Sequence, residues 1–277
     1  MNTWVTENQT SGLRISFRIR EILASEVSEF QRIDIYRTES HGRLMMLDDV
    51  VMLTEKDEFL YHEMIAHVPM CVHPDPKRVL VIGGGDGGTI REIARHPEVD
   101  EITIVEIDGR VVELSREYLP FVGCGFDDAR VQLHVDDGIR FIQDHKDAFD
   151  VIFIDSTDPV AFAEGLFHTD FYTNVRDALR ENGIMVAQTE FPLLLPDTVR
   201  EIHTALKQVF PVSRMYTGYV STYPTGLWSY AFASKGPDPL KDFKPERADR
   251  MRGTLKYYSA DIHRAAFALP PFIQELV

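Results

Sequence analysis

The feature that most constrains the fold is a short apolar segment at residues 78–82 that leads straight into a glycine-rich loop at residues 83–88. The segment is too short for a helix and ends at glycines, so it predicts a buried strand of a parallel sheet. Within the loop, Gly83, Gly85 and Gly88 fit the pattern G-x-G-x-x-G, and a helical pattern follows directly. A strand, a tight glycine turn and a helix in this order predict an α/β fold with a ligand site at the loop.

The region after the loop repeats the alternation of strand and helix. Further short apolar runs lie at residues 101–105, 131–134, 151–154 and 184–187, with helical patterns at residues 89–95, 109–118, 138–144 and 170–181. Gly183 stands just beyond the last helical pattern, where a glycine commonly ends a helix. This alternation predicts buried strands in a mostly parallel sheet with helices on both faces. Ligands of such sheets bind at the carboxyl ends of the strands, near the point where the strand order reverses.

The first part of the chain has a different pattern. Short strand patterns without helical periodicity lie at residues 13–20, 31–38 and 43–47. They predict a small antiparallel β-domain over residues 1–53. Thr54 and the charged residues after it resemble a capping box, so we expect a linking helix over residues 54–70. The second, α/β domain is then predicted over residues 54–277.

Two acidic residues indicate what the glycine loop binds. Glu106 ends the next strand, about 20 residues after the loop, where a carboxylate can hold both hydroxyls of a ribose. Together with the loop it predicts an adenosine-containing ligand. Asp86 lies inside the loop and opposes a pyrophosphate, because two like charges at ~4 Å cost about 4 kcal/mol at an effective dielectric constant of about 20. Asp86 therefore favours a ligand with an ammonium group and no phosphate, although it can also cap the following helix.

Further carboxylates follow the later strands. Asp136 and Asp137 come after the third strand pattern, where they suit a contact with an adenine amino group, and Asp136 is a candidate helix cap. Asp155 and Asp158 come after the fourth strand pattern, where they can face one small cavity or serve as ordinary turn and loop caps. Because the carboxyl ends of parallel strands meet at one edge, we expect Asp86, Asp155 and Asp158 around a single pocket.

Carboxylates gathered in one pocket raise one another's pKa values and destabilise a fold unless a cation lies between them. The pattern therefore predicts a nucleoside site that also binds a positively charged ligand. The sequence contains no His/Cys cluster typical of a transition metal, and we expect no metal. The net charge of −15 repels nucleic acid and attracts a cationic substrate, or it serves solubility alone.

The cysteine content and the absence of long apolar runs in the sequence indicate where in the cell the protein is located. The two cysteines, Cys71 and Cys124, form no C-x-x-C pair, which fits a reducing environment. No apolar run approaches the ~18 residues of a membrane span. These features predict a soluble, cytoplasmic protein without a membrane partner.

Ordered motifs along nearly the whole chain carry a family resemblance. They comprise Gln31 and residues 47–50, 54–59, 61–64, 83–88, 105–108, 137–138, 155–159, 222–224, 257–258 and 263–267. On these motifs the sequence resembles the spermidine synthases, which are polyamine aminopropyltransferases. The resemblance implies a small β-domain before a methyltransferase-like Rossmann domain, in a homodimer or homotetramer. It also implies transfer of the aminopropyl group of decarboxylated S-adenosylmethionine, a co-substrate rather than a cofactor, to a diamine. Putrescine is the expected acceptor, giving spermidine and 5′-methylthioadenosine.

The resemblance assigns roles to individual residues. Asp155 is implied to be the catalytic base that accepts a proton from the attacking amine. The implied amine-binding residues are Tyr61, His62, Asp86, Asp155, Asp158 and Tyr223, and those implied for the donor nucleoside are Gln31, Glu106, Asp137 and Gly138.

One stretch departs from the family. After Asp158 and Pro159, members commonly have Gly-Pro-Ala-Glu, whereas this chain has Val-Ala-Phe-Ala-Glu at residues 160–164. Phe162 is a candidate to stack on adenine, or the loop packs differently. The segment at residues 156–167 is long for a strand-to-helix connection, and we expect it to act as a lid that excludes water.

Other functions stay open at this point. The acceptor can be another amine, such as cadaverine or agmatine. A methyltransferase that uses ordinary S-adenosylmethionine shares the same framework, and an NAD-dependent dehydrogenase is disfavoured by Asp86. A non-catalytic polyamine-binding protein would need a disabled base, yet Asp155 is present.

Overall fold

The computed structural model describes residues 3–156 and 168–277 of the 277-residue chain. Its N-terminal part is an antiparallel sheet of five strands in sequential order. The strands are β1 (Trp4–Thr10), β2 (Leu13–Val27), β3 (Arg32–Thr38), β4 (Arg43–Leu47) and β5 (Val50–Thr54). Asp48 and Asp49 connect β4 to β5 with φ of 47° and 67°, as in the two-residue type I′ turn that suits strand twist. The predicted antiparallel β-unit is confirmed, although β1 and β5 were not predicted.

The larger sheet has seven strands and is mostly parallel. Its strands are β6 (Arg78–Gly83), β7 (Glu101–Glu106), β8 (Val131–Val135), β9 (Phe149–Asp155), β10 (Leu179–Gln188), β11 (Val212–Tyr219) and β12 (Leu227–Ser234). They lie in the order β11-β12-β10-β9-β6-β7-β8. β12 is antiparallel to β10 and β11, and the neighbouring pairs among β6 to β10 are parallel. The predicted α/β fold class is confirmed.

Helices cover both faces of this sheet. The helices in the described part of the chain are α1 (Glu58–Met70), α2 (Gly88–Ile93), α3 (Gly109–Tyr118), α4 (Pro120–Gly123), α5 (Gly138–Gln143), α6 (Thr169–Ala178), α7 (Pro196–Val209), α8 (Pro245–Arg250), α9 (Ala260–Ala266) and α10 (Pro271–Gln274). Successive residues of β6 point to opposite faces. Val81 packs in the core that includes Ile90 of α2, whereas Ile82 packs in the core that includes Val175 of α6. A strand covered on both faces is expected to be apolar at every buried position, and residues 79–82 are all apolar and buried.

The strand order reverses between β6 and β9. From β6 the chain continues outward through β7 and β8 on one side, and β9 pairs with β6 on the other. Gly83 at the end of β6 lies opposite Asp155 at the end of β9. This reversal places a crevice at the carboxyl ends of both strands, where open α/β sheets bind ligands.

The predicted end of the helix at residues 170–181 is wrong. α6 ends at Ala178, and Leu179 already pairs with Phe149 of β9. The left-handed residue is Asn182, with φ of 63°, and regular pairing of β10 resumes at Ile184. Asparagine tolerates this conformation better than most residues, so Gly183 does not end the helix but lies inside β10.

The predicted capping box is also wrong. Thr54 is the last residue of β5, and α1 begins at Glu58. The Thr54 hydroxyl donates to the Asp57 carboxylate instead of the carboxylate capping the helix. Asp57 Oδ2 accepts hydrogen bonds from Thr222 N at 3.0 Å and Thr222 Oγ1 at 2.8 Å, so it ties the start of α1 to the segment after β11. The domain division between residues 53 and 54 stays a prediction.

The third predicted strand is parallel but not buried. β8 forms the edge of the sheet, and its residues Gln132 to Val135 are exposed. Within residues 3–156 and 168–277, none of the helices combines the length and apolar character needed to cross a bilayer.

Candidate active site

A cavity of about 250 Å³ lies where the carboxyl ends of β6, β7 and β9 face the N-terminal sheet. Its lining includes these predicted site residues: Gln31, Tyr61, His62, Gly83, Gly85, Asp86, Glu106, Asp137, Gly138, Asp155 and Tyr223. Gly88 is not part of the lining but packs against the ring of His62. Asp158 and Phe162 lie outside the described residues, as does all of the predicted lid at residues 156–167 except Ser156.

Asp155 is the last residue of β9 and lies beside the glycine loop. Its Oδ1 accepts a hydrogen bond from the Tyr61 hydroxyl and its Oδ2 accepts one from the Thr89 hydroxyl, each at 2.6 Å. Burial and the charge of Asp86 raise the pKa of Asp155, although His62 and the two hydroxyl donors act against the rise. A carboxylate that is held in place and has a raised pKa has the properties of a general base.

The loop needs glycine where it passes the end of β9. Gly83 has φ of 83°, and a Cβ there would lie 2.2 Å from the main-chain oxygen of Asp155. The same oxygen accepts a hydrogen bond from Gly84 N at 2.8 Å. The glycine loop therefore holds the backbone of Asp155 directly, and a side chain at position 83 would break that contact.

Asp86 lies at the turn from the loop into α2. Its Oδ1 accepts a hydrogen bond from Gly88 N at 2.7 Å and lies 3.3 Å from His62 Nε2. Burial opposes its ionisation, but His62 and the Gly88 N–H outweigh burial and hold the pKa of Asp86 below its usual value. Side-chain atoms of His62, Asp86 and Asp155 all lie within 4.8 Å of one another. Asp86 thus caps the start of α2 and also faces the cavity together with Asp155.

Glu106 closes the other end of the loop. Its Oε2 accepts a hydrogen bond from Gly85 N at 3.1 Å and its Oε1 accepts one from Asp108 N at 2.9 Å. The side chain is buried, and burial raises the pKa of Glu106 to about 7, although the two backbone N–H groups oppose the rise. Each oxygen keeps a lone pair for a further donor, such as a ribose hydroxyl.

Gln31 and Asp137 lie near Glu106 on the cavity wall. Gln31 Nε2 donates to Asp108 Oδ2 at 3.0 Å, which fixes the amide. Asp137 Oδ1 accepts a hydrogen bond from Ile139 N at 2.8 Å and caps α5. The prediction that Asp136 is this cap is wrong, because Asp136 accepts a hydrogen bond from Asp137 N, one residue before the helix.

Aromatic rings form the wall beyond Asp155. The ring of Tyr223 lies 6.0 Å from that of Tyr61 and 4.7 Å from that of Trp228, and Phe191 lies 4.4 Å from Trp228. The Tyr223 hydroxyl donates to the main-chain oxygen of Met52 at 2.6 Å, which joins this wall to β5. Such a wall suits the methylene groups of an alkyl amine, while the carboxylates suit its nitrogen atoms.

Three residues that support the site were not predicted from the sequence: Glu58, Thr89 and Arg91. Thr89 lies in the first turn of α2, where side chains point back toward the loop, so its position was a usable signal. Glu58 and His62 are spaced i, i+4 on α1, which also indicates a contact. No local signal connects Arg91 with Glu58, because only the packing of α2 on α1 brings them together.

Comparisons with known proteins agree with this architecture. The spermine/spermidine synthase domain matches residues 58–245, and the spermidine synthase tetramerisation domain matches residues 3–55. A polyamine aminopropyltransferase of Moorella thermoacetica is 48% identical over 275 residues, which cover 99% of this chain and 96% of that protein. A polyamine aminopropyltransferase of Bacillus mycoides is 47% identical over 277 residues, which cover 100% of both chains.

Solved structures lead to the same family. A spermidine synthase in complex with the transition state analogue AdoDATO has a TM-score of 0.97 and 44% identity, covering 99% of this chain and 94% of that one. The spermidine synthase of Thermotoga maritima has a TM-score of 0.95 and 45% identity with the same coverage. These matches confirm the methyltransferase-like fold with its N-terminal β-unit. The chain therefore belongs to the spermine/spermidine synthase family and is an enzyme of the polyamine aminopropyltransferase class.

Proposed function

We propose that the enzyme transfers the aminopropyl group of decarboxylated S-adenosylmethionine to putrescine, giving spermidine and 5′-methylthioadenosine. The observation that supports this most is the approach of Asp86 and Asp155 to within 4.8 Å in one cavity that also contains Glu106. Two carboxylates so close repel each other, and positively charged ligands relieve that repulsion. Both substrates of the proposed reaction carry such charges.

The donor fits along the glycine loop in this proposal. Glu106 accepts the ribose hydroxyls, and Gln31, Asp137 and Gly138 contact the nucleoside end. Asp86 holds the ammonium group of the aminopropyl arm. Ordinary S-adenosylmethionine has a carboxylate next to that ammonium group, and a negative charge near Asp86 is disfavoured by about 4 kcal/mol at ~4 Å and an effective dielectric constant of about 20. Asp86 therefore selects the decarboxylated donor.

The acceptor amine lies between Asp155 and the aromatic wall. Its nitrogen attacks the aminopropyl carbon bonded to the sulfonium sulfur, the carbon–sulfur bond breaks, and the sulfur leaves with the electron pair. Asp155 takes the proton that the nitrogen loses. An alkyl amine has a pKa near 10, so it is mostly protonated at neutral pH, and a base beside it is needed. Alignment of the two substrates contributes roughly 7 kcal/mol to lowering the barrier.

Two features of the whole chain extend the proposal. The match to a tetramerisation domain supports an oligomer, and we propose a homodimer or homotetramer formed with the N-terminal sheet. Cys71 is buried, and both cysteines are free thiols, which fits the cytoplasmic location that we propose.

The direct test is an activity panel. Purified enzyme is given decarboxylated S-adenosylmethionine and one amine at a time (putrescine, cadaverine, agmatine or spermidine), and released 5′-methylthioadenosine is measured by chromatography. We expect the highest kcat/KM with putrescine and one spermidine for each methylthioadenosine. A higher kcat/KM with another amine would replace the proposed acceptor, and no release with any amine would refute aminopropyl transfer.

The proposed base is tested by Asp155→Asn. We expect kcat to fall by roughly 10²–10⁴-fold, the usual contribution of a general base, while 5′-methylthioadenosine still binds in calorimetry. The control is Asp100→Asn. Asp100 is exposed and directly precedes β7, at the amino ends of the strands and away from the cavity, so this variant is expected to retain full activity. Normal turnover in Asp155→Asn would remove Asp155 from the mechanism.

A further inference from the structure

His62 lies between two carboxylates. Its Nδ1 is 2.7 Å from Glu58 Oε2, and its Nε2 is 3.3 Å from Asp86 Oδ1. The side chains of His62 and Glu58 are each only 4% exposed, so water does not compete for these contacts. A neutral imidazole donates from one nitrogen only, whereas an imidazolium donates from both. The geometry is therefore that of an ion-paired imidazolium.

Glu58 is itself held in place by Arg91. The guanidinium of Arg91 faces both carboxylate oxygens, with NH1 at 2.9 Å from Oε1 and NH2 at 2.9 Å from Oε2. A second hydrogen bond of NH1, to the main-chain oxygen of Phe121 at 2.6 Å, fixes the guanidinium. Two parallel hydrogen bonds of this kind fix the orientation of a carboxylate as well as its charge. Glu58 is thus aimed at His62 Nδ1.

The charges alternate along this row of side chains, starting at the cavity. They are negative at Asp86, positive at His62, negative at Glu58 and positive at Arg91. The Nε of Arg91 donates to Glu92 Oε1 at 2.7 Å, so a further negative charge follows Arg91 in this row. Each charge in the row has an opposite neighbour, as buried charges require.

We propose that Glu58 and Arg91 are positioning residues that hold His62 as an imidazolium, so that Asp86 stays fixed with its second oxygen facing the donor. This rests on the proposed function, in which Asp86 binds the aminopropyl ammonium. Within residues 3–156 and 168–277, the hydrogen bond and ion pair of Asp86 both fall on Oδ1. Oδ2 is the oxygen left for the ligand, and the contacts to His62 and Gly88 N determine where it points.

Among residues 3–156 and 168–277, five charged or titratable groups face His62 directly or through a neighbour. They are Glu58 and Tyr61 of α1, Asp86 of the loop, Asp155 of β9 and, through Glu58, Arg91 of α2. Burial lowers the pKa of His62, but Asp86 and Glu58 outweigh it and raise this pKa to about 10. The imidazolium is then present throughout the neutral range and is lost only as the pH rises through about 10.

The test follows the His62 ring nitrogens by NMR in the ligand-free, ¹⁵N-histidine-labelled enzyme across about pH 6 to 9, where an unperturbed histidine titrates. The His62 signal is assigned by its loss in His62→Gln. We expect wild-type His62 to keep the shifts of an imidazolium throughout. Glu58→Gln removes one carboxylate and leaves the Arg91 charge nearby, so we expect the His62 pKa to fall by about 1–3 pH units.

The second arm measures kcat/KM for the donor over the same pH range. In Glu58→Gln we expect kcat/KM to fall roughly 10–100-fold, the effect of one charge-assisted hydrogen bond, with the deficit growing as His62 loses its proton. The matched control is Glu63→Gln on the same helix. Glu63 is also buried, but it accepts hydrogen bonds from the main chain at residues 256–258, so its replacement should leave the His62 signal unchanged.

The outcomes are separable. Titration of wild-type His62 near its ordinary pKa overturns the proposal, and this measurement decides even if Glu58→Gln does not fold. An unchanged His62 titration in folded Glu58→Gln also overturns it, as does a kcat/KM deficit that does not depend on pH. Because the NMR arm uses ligand-free enzyme, it is independent of the reaction. A failure of the proposed function appears instead as absent methylthioadenosine release by the wild type.

Discussion

In the proposed function the carboxyl group of Glu106 holds the ribose of the donor, so the charge state of this one group should make nucleoside binding depend on pH. Burial raises its pKa to about 7, so the free enzyme contains protonated and ionised forms near neutrality. Only the ionised form offers both oxygens as acceptors to ribose hydroxyls, so under this proposal we expect the nucleoside to bind that form. We expect the affinity for the uncharged ligand 5′-methylthioadenosine to rise with pH through about 7, by roughly tenfold between pH 6 and pH 8. Calorimetric titrations across this range measure it.

The variant Glu106→Gln isolates this group. Without the carboxyl group the affinity should be lower and flat between about pH 6 and 8, whereas Asp137→Asn should keep the slope because Glu106 is intact. His62 does not contribute a slope here, since its pKa is raised to about 10. A wild-type affinity that is constant over this range would show that Glu106 is not the group that holds the ribose.

At the scale of secondary structure elements, α2 and α1 meet at Gly88 and His62. A Cβ on Gly88 would lie 2.3–2.5 Å from three atoms of the His62 ring. The backbone of Gly88 suits any residue, so Gly88→Ala acts only through this collision. We expect a loss of about 1–3 kcal/mol in the free energy of unfolding and at least a roughly tenfold lower kcat/KM, because the ring must move away from Asp86.

The comparison for Gly88→Ala is Gly236→Ala. Gly236 follows β12, and the nearest atom to an added Cβ there is Asn182 Oδ1 at an ordinary 3.7 Å. Thermal unfolding and steady-state kinetics of both variants should show a change at position 88 and none at 236. Full activity of Gly88→Ala would mean that the position of the His62 ring does not matter for turnover.

The elements also show what sequence patterns can and cannot predict. The strand at residues 78–82 and the helix at residues 109–118 have local signals, namely an apolar run before glycines and an amphipathic repeat, and both were predicted closely. The end of α6 was missed because pairing of Leu179 with β9 overrides helical propensity. The N-terminus of α1 was missed because Asp57 bonds Thr222, which is remote in sequence.

The same distinction applies to the candidate site. Carboxylates at strand ends could be predicted to converge, since the topology of a parallel sheet brings those ends together, and Asp86 and Asp155 do converge. The topology does not predict every residue that orients these carboxylates. The position of Thr89 in the first turn of α2 was a usable signal for its contact with Asp155, but the contact between Arg91 and Glu58 depends on how α2 packs against α1. Local sequence patterns do not predict how two helices pack against each other.

At the scale of the whole molecule, the dominant property is the net charge of −15. A field of this sign raises the concentration of a dication near the cavity and its rate of association. Salt screens this field, because the Debye length falls from about 30 Å at 0.01 M to about 6 Å at 0.3 M ionic strength. From the sequence, the charge can serve either attraction of the substrate or solubility alone, and a change of ionic strength separates these two possibilities.

We expect kcat/KM for the diamine to fall several-fold as sodium chloride rises from about 0.02 to 0.3 M, since the encounter with a charged acceptor loses its electrostatic attraction. At saturating diamine, kcat should change little, because contacts inside the cavity are screened much less than the field outside it. The affinity for 5′-methylthioadenosine, which has no charge, is the internal control and should stay constant. Stopped-flow or steady-state measurements at constant pH provide all three quantities. A diamine kcat/KM that does not depend on salt, or one that falls in parallel with the methylthioadenosine affinity, would mean that the surface charge serves solubility and does not guide the substrate.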